Sequence, residues 1–238
     1  MRDHDHLRHV HRTAHRVARE ERLLARRERR HAQTRDEILE TAREVLLERG
    51  AADLSLREIA RRAGFSPGAL YKYFDNKDDL VRVLADKAMT ALLAEFARMP
   101  AGLPADERAL EMGMCYLEFA RHNPEDVAVI AMHESVVHMM PMSSEHRLLE
   151  EAVTGVFKDG VAQGIFRVFA EDDADSMAYG AWALVQGLAT FEQQQRPELA
   201  AKVRGKQRQL LRVFITGLKS DRSEGSPDRS PGSAEETA

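Results

Sequence analysis

Cysteine is almost missing from this 238-residue chain: Cys115 stands alone. A single thiol excludes an internal disulfide and any zinc site built from several thiolates, and it suits a reducing compartment, so the expected location is the cytoplasm. No apolar run reaches the roughly 18 residues that a membrane-spanning helix needs. The opening Met-Arg-Asp-His-Asp-His lacks the apolar stretch of a secretory signal. Aromatic residues are few, at 6%, with one Trp. Alternating patterns rich in β-branched residues are missing too, so no sheet is expected. What is there is 43% apolar and 31% charged residues, enough to build a packed core and unlike collagen or a disordered chain. The expectation is an all-α fold.

The net charge of −4 hides a gradient. Residues 1–33 hold ten Arg against five acids, together with six of the ten His. Residues 34–87 are nearly balanced, with ten bases and eleven acids, and residues 88–238 are acidic, with fifteen bases and twenty-three acids. A basic arm before an acidic body points to a polyanion at one end only. Residues 1–33 are read as an extension, flexible or partly helical. Either its arginines touch DNA or the arm is a solvated tail. His4, His6, His9, His11 and His15 offer imidazoles to a transition metal, but a polar arm accounts for them equally, and no metal site is assigned. Residues 220–238, rich in Ser, Gly, Pro and acids, read as a disordered tail.

From Thr34 the local signals sharpen. Thr34-Arg-Asp-Glu37 has the spacing of a capping box. It is followed by Ile38, Leu39, Ala42, Val45 and Leu46 on one helical face. Ser55-Leu-Arg-Glu58 is a second box, opening a short helix with Leu56, Ile59, Ala60 and Ala63 inward and ending at Gly64. Ser66 with Pro67 starts the next, whose inner residues are Leu70 and Phe74. Two short helices joined by a Gly-containing turn form a helix-turn-helix. Longer helices are expected near 77–98, 105–122, 124–139, 144–163, 173–194 and 198–219, separated by Gly and Pro breaks.

With Leu70 and Phe74 inside, Gly68 and Lys72 lie opposite, flanked by Ala69 and Tyr71. That face suits a major groove: Gly68 permits close backbone approach, Ala69 meets a thymine methyl, and Lys72 donates to guanine acceptors. Tyr71, Tyr73 and Ser55 offer hydroxyls to phosphates, and Lys77 sits at a helix start where free amides favour an anion.

The run from Ser55 to Leu80, SLREIARRAGFSPGALYKYFDNKDDL, and residues 34–80 as a whole resemble the DNA-binding domain of TetR-family transcriptional regulators. The resemblance implies an all-α homodimer on a near-palindromic operator, most often a repressor released by a small ligand. It carries DNA contacts onto Thr34, Arg35, Ser55, Arg57, Ser66, Pro67, Gly68, Ala69, Tyr71, Lys72, Tyr73 and Lys77. Residues 81–219 would then bind ligand and dimerise. Phe119-Ala-Arg-His-Asn-Pro124 and Trp182-Ala-Leu-Val-Gln-Gly-Leu188 resemble a subgroup with a Trp-x-x-x-His-Gly signature, Gln186 standing in the His position.

Nine of the ten methionines follow residue 87. Methionine stripes fill plain cores but also adaptable pockets for apolar ligands. The pocket candidates are Met112, Cys115, Tyr116, Phe119, Met132, His133, Met140, Trp182 and Gln186, for a small apolar or amphipathic ligand. Cys115, beside Met114 and Tyr116, is expected to be buried and inert as a thiol. His133, Glu134 and His138 share a helix, where a structural carboxylate–imidazole pair or a pocket polar group outweighs a metal. The dimer candidates are Leu184, Leu188, Phe191, Leu210, Leu211 and Phe214, on two helices that a twofold axis would turn into a four-helix bundle.

Two other function classes were weighed. Gly64-x-Ser66-x-Gly68 fits the nucleophile elbow of a serine hydrolase, which requires a strand before the serine; the residues there read as a helix. A helical small-molecule binder without DNA binding is the other, argued against by Tyr71, Lys72, Tyr73 and Lys77. No catalytic residue, cofactor or membrane partner is expected.

Overall fold

The computed structural model describes residues 2–49, 54–136, 142–168, 173–193 and 197–220. The expectations for Met140, His138 and residues 221–238 lie outside them. The described residues are helical with no strand; one isolated antiparallel bridge, Phe166 to Lys219, ties a loop to the chain's last described turn. The elements are α1 (Arg2–Arg49), α2 (Leu56–Arg62), α3 (Pro67–Leu70), α4 (Lys77–Phe96), α5 (Ala105–His122), α6 (Pro124–Val136), α7 (Ser144–Ala162), α8 (Asp173–Gln193), α9 (Pro197–Arg204) and α10 (Gln207–Gly217). No described helix is long and apolar enough to cross a membrane.

The chain divides into two units. The first holds α1 to α3, α4 as far as Ala91, and α6; the second holds α4 from Leu92, α5, and α7 to α10. The sequence reading placed residues 34–80 in one domain and 81–219 in the next, between an extension of residues 1–33 and a tail from 220. Instead α6 belongs with α1. Asp126 on α6 forms an ion pair with the Arg43 guanidinium on α1, 2.8 Å apart, and Val127 and Ile130 are buried.

The first unit forms much as the local signals require. Ile38, Leu39, Ala42, Val45 and Leu46 are buried along α1, and Leu56, Ile59 and Ala60 along α2. One signal misled. Thr34 does not start a helix, because α1 runs unbroken from Arg2. The upstream Arg, Glu, Ala and Leu are good helix formers, so the helix propagates through them. Glu37 accordingly accepts from Gln33, four residues back, at 3.2 Å rather than capping a first turn.

In the second unit α5 packs against α7, α8 and α10. Small residues admit large neighbours: a Cβ on Gly160 would lie 2.2 Å from the Phe166 ring, and one on Gly113 would lie 2.9 Å from Leu211. The expected last helix is two. Gly205 and Lys206 interrupt it, and α10 restarts at Gln207.

Candidate nucleic-acid interface

The helix-turn-helix is built by its caps. Ser55 accepts from the Glu58 amide at 3.3 Å and opens α2. The reciprocal half of that box is not made. The Glu58 carboxylate turns to Arg61, at 2.9 and 2.7 Å, and to Arg62, at 3.1 Å, and pairs with Arg49 of α1 at 3.2 Å. Arg62 also reaches Glu48 of α1, so this network fastens α2 to α1. Paired above all with Arg61 and then Arg62, the Glu58 carboxyl is held down at about 2.

The turn depends on Gly64, at φ +72°, a region that side chains disfavour. There the Phe65 amide reaches back to the Ala60 carbonyl at 2.8 Å and the Ala63 amide to Ile59 at 2.9 Å, closing the helix end. Ser66 then caps α3 through its backbone, and no side-chain cap bond occupies its hydroxyl. Leu70 and Phe74 are fully buried beneath it. After Leu70 the chain continues as tight turns, with the Lys72 amide on Ala69 and the Phe74 amide on Leu70.

This architecture turns the expected contact face outward. Ser55, Arg57, Ser66, Pro67, Gly68, Tyr71 and Lys72 are exposed, and Ala69, Tyr73 and Lys77 half-exposed. Gly68 has an ordinary φ, and a Cβ built on it would meet nothing within 4 Å. Neither backbone strain nor packing inside this chain calls for a glycine there. Tyr73 is less free than the sequence suggested: its ring stacks on His31 of α1, centroids 4.6 Å apart and planes 29° apart. Arg35 is likewise held, its guanidinium 5.1 Å above the Phe74 ring. Thr34 is half-buried beside it. The start of α4 carries a box the sequence reading missed. Asn76 accepts from the Asp79 amide at 2.8 Å and Asp79 from the Asp75 amide at 3.2 Å, fixing where Lys77 begins the helix. An Asn three residues before an Asp was the available signal.

Ser66 follows a helix and a turn, so the strand a nucleophile elbow requires is not there. The hydrolase alternative is thereby corrected.

Residues 38–84 match the family of bacterial regulatory proteins called tetR. This chain carries a TetR-family DNA-binding domain. The likeness is densest there: TtgR, an HTH-type transcriptional regulator of Pseudomonas putida, is 42% identical over 64 residues, which are 26% of this chain and 30% of TtgR. KstR2, an HTH-type transcriptional repressor of Rhodococcus jostii, is 28% identical over 140 residues, covering 56% of this chain and 68% of that protein. Among solved structures, that of BioQ with its natural double-stranded DNA operator has a TM-score of 0.57 at 21% identity, over 77% of this chain and 96% of BioQ. At that identity it shows the shared fold. With that domain and these relatives, the chain is a DNA-binding transcriptional regulator rather than an enzyme.

The second unit contains a narrow cavity of about 40 Å³. Of the pocket candidates, Met112, Tyr116 and Trp182 line it. Gln186 joins through a hydrogen bond, its carbonyl accepting from the Tyr116 hydroxyl at 2.6 Å, and the Tyr116 and Trp182 rings meet edge-on at 5.1 Å. The sequence reading missed Phe96, Val153, Phe157 and Leu211 in the wall. Leu211 was assigned to the dimer contact instead, and the other three carried no assignment. Cys115 and Phe119 lie on α5 outside the lining; Cys115 is half-buried rather than buried as expected, and burial first, then Glu95 and Glu118, pushes its thiol upward. Met132 and His133 sit on α6 in the first unit and are not among the residues that line this cavity.

Two of the dimer candidates are already buried inside the single chain. Leu188 and Leu211 are 6% and 2% exposed within a single chain, Leu211 filling the space above Gly113. Leu184 and Phe214 are half-buried, the latter against Gly180. Phe191 and Leu210 are exposed, and so is Val213, at 66%, which the sequence reading passed over.

Proposed function

We propose that this protein is a dimeric repressor that holds a near-palindromic operator and releases it when a small, largely apolar ligand enters the second unit. The observation that carries the reading is the outward face of residues 66–72. Ser66, Gly68, Tyr71 and Lys72 stand exposed above a buried Leu70 and Phe74. A face that is rigid beneath and open above suits a major groove. On it, Lys72 reads base acceptors, Tyr71 and Ser55 bind phosphates, and Gly68 lets the backbone come close. BioQ, described with its own DNA operator, supports DNA as the partner, and KstR2, a named repressor, supports the sign.

The cavity supports the ligand. Its wall is apolar apart from the Tyr116 hydroxyl, which is bonded to Gln186 behind it, and the indole of Trp182, and these give an entering molecule polar groups to meet. At about 40 Å³ it has room for a water or two, well below a typical ligand site of roughly 300 Å³ or more, so entry requires the wall to move. Phe96 is part of that wall, and it ends the helix that begins at Lys77. A ligand-driven shift at Phe96 would act on the helix whose first residue, Lys77, is a DNA-contact candidate, and so bias the spacing of two half-site readers. Gln186, in the position where the resembled subgroup carries His, would be the polar group that senses the ligand.

Selection of duplexes from a random pool, followed by gel-shift titration, tests the DNA half. Lys72→Ala is expected to cost about 1–3 kcal/mol on the selected sequence and to relax base preference, while retention of no duplex by the wild type overturns it. Trp182 is the only tryptophan and lines the cavity, so its fluorescence reports ligand entry directly.

A further inference from the structure

Beyond the helix-turn-helix, α1 itself carries an unclaimed surface. At 100° per residue, Arg19, Arg22, Arg26, Arg29 and Arg30 fall within an arc of roughly 100°, and all five are exposed. The acids of the same stretch, Glu20, Glu21 and Glu28, lie outside that arc. The stripe therefore sets like charges beside one another: Arg19 by Arg22, Arg22 by Arg26, and Arg26 by both Arg29 and Arg30. A helix in water is stabilised by alternating signs at these spacings and weakened by equal ones. The sign then reverses. Glu37, Glu40, Glu44 and Glu48 follow 18 residues after Arg19, Arg22, Arg26 and Arg30, five turns on and on the same arc. The reversal falls near Gln33, where α1 passes from its extension into the body of the first unit.

The position of the stripe is fixed by His31. Its ring stacks on Tyr73, the residue next to Lys72, and Arg35 one turn later covers Phe74. The extension therefore leaves the first unit beside the base-reading turn, and the basic half of the arc starts there. The acidic half is already engaged in part, Glu48 with Arg62.

We propose that the Arg19–Arg30 stripe is a second DNA-binding surface, one that neutralises duplex phosphates flanking the sequence read at Lys72. This rests on the DNA-binding reading above. The partner is identified by charge and reach: five like cations in a row about 16 Å long, at 1.5 Å per residue, match a line of backbone phosphates and carry no base-reading chemistry.

The test uses the full chain, with all five arginines changed to Gln, which preserves helix propensity, and a companion with all five changed to Lys. Affinity for the duplex selected by the wild type is measured against KCl concentration. Each neutralised phosphate contributes about 0.9 to the slope of log affinity against log salt. The Gln variant is expected to be shallower by about 2–4 on that scale, with the selected sequence unchanged, and the Lys variant to return to the wild-type slope. Equal slopes for wild type and Gln variant overturn the proposal and leave the operator reading standing. A Lys variant that behaves like the Gln variant also overturns it, since charge would then not be the agent. A Gln variant that turns monomeric by light scattering assigns the stripe to a second copy of α1 and overturns it too. A wild type that retains no duplex defeats the underlying reading instead.

Discussion

Glycines separate the two units by what each one answers to. In the second unit Gly160 and Gly113 are required by the protein itself: the Phe166 ring and Leu211 occupy the space a methyl would need, and Phe214 crowds Gly180 more mildly. In the first unit Gly68 answers to nothing inside the chain. It sits in open space at an ordinary φ on the outward face of the recognition turn. A glycine whose smallness is filled is explained by packing; Gly68, unfilled and on the outward contact face, is left for the DNA partner to explain. The same division runs through the larger side chains. Leu188 and Leu211 looked like interface and are core; Phe191, Leu210 and Val213 are apolar, exposed and unexplained by a single chain.

The largest effect should come from that exposed set. Leu210 and Val213, three residues apart on α10, share a face. Changing both to Asp would bury charge in a dimer contact. The expected outcome is a monomer by light scattering that loses roughly 10²- to 10⁴-fold in affinity for the full operator, because the second half-site no longer benefits from linkage. Melting temperature should fall only by what association itself contributed, since neither side chain is buried in the single chain. A variant that remains dimeric with wild-type affinity would place the interface elsewhere.

Next in size is Gly160→Ala. Its new methyl overlaps the Phe166 ring, and overpacking of a tight core costs about 1–3 kcal/mol. Thermal unfolding followed at Trp182 should show the loss, and operator affinity at low temperature should not change. If the protein melts as before, the close fit at Gly160 is relieved by ring movement, and the contrast with Gly68 weakens.

Gly68→Ala sharpens the comparison from the other side. With no contact to break, it should leave stability unchanged or raise it by up to about 1 kcal/mol through helix propensity and a stiffer unfolded chain. Operator binding should weaken all the same, because the methyl stands where the backbone meets the groove. Equal binding by wild type and variant would show that DNA does not approach Gly68 closely.

How much of this was legible in the sequence follows from how local each cause is. The helix-turn-helix could be read because its determinants are neighbours: Ser55 caps the helix it precedes, Gly64 supplies its own φ, and Ser66-Pro67 starts the next turn. Thr34 misled for the same reason. A capping box is a local pattern, and nothing in Thr34-Arg-Asp-Glu37 says that the residues before it are already helical. The return of α6 to the first unit was hidden, since the Arg43–Asp126 pair joins residues far apart in sequence. In the last helices periodicity found the apolar residues, but the break at Gly205 and Lys206 changed their phase. A stripe alone also does not say whether its partner is the same chain or a second one. That is why Leu211 was read as interface and Val213 was passed over.

The smallest effect lies in acid, and it concerns the first unit alone. Glu58 is held at about 2 by Arg61 and Arg62, below the ordinary carboxylate value of 4.5. A carboxyl with a lowered folded value contributes its full stability above the ordinary value, and that contribution is lost as pH falls from about 4.5 through about 2. Asp126 in the same unit is shifted the other way, raised by burial despite the Arg43 partner. Its contribution is fully present below its ordinary value of 3.8 and is lost as pH rises through its raised folded value. The two oppose each other over much of the acid range. Amide hydrogen exchange at Ile59 and Ala60, both buried on α2, reads the first unit apart from Trp182 in the second. In the wild type, exchange at α2 should speed up as pH drops below 4.5, after correction for intrinsic rates. Glu58→Gln removes the lowered group while keeping a hydrogen-bond acceptor for Arg61. Its α2 exchange should be faster at pH 6 and should accelerate less in acid, with Glu48, itself lowered by Arg62, and Asp126 left to set the slope. If the variant keeps the wild-type acid dependence, Glu58 is not what fastens α2 to α1, and the rigid base beneath the recognition turn comes from the buried Leu56, Ile59 and Leu70 alone.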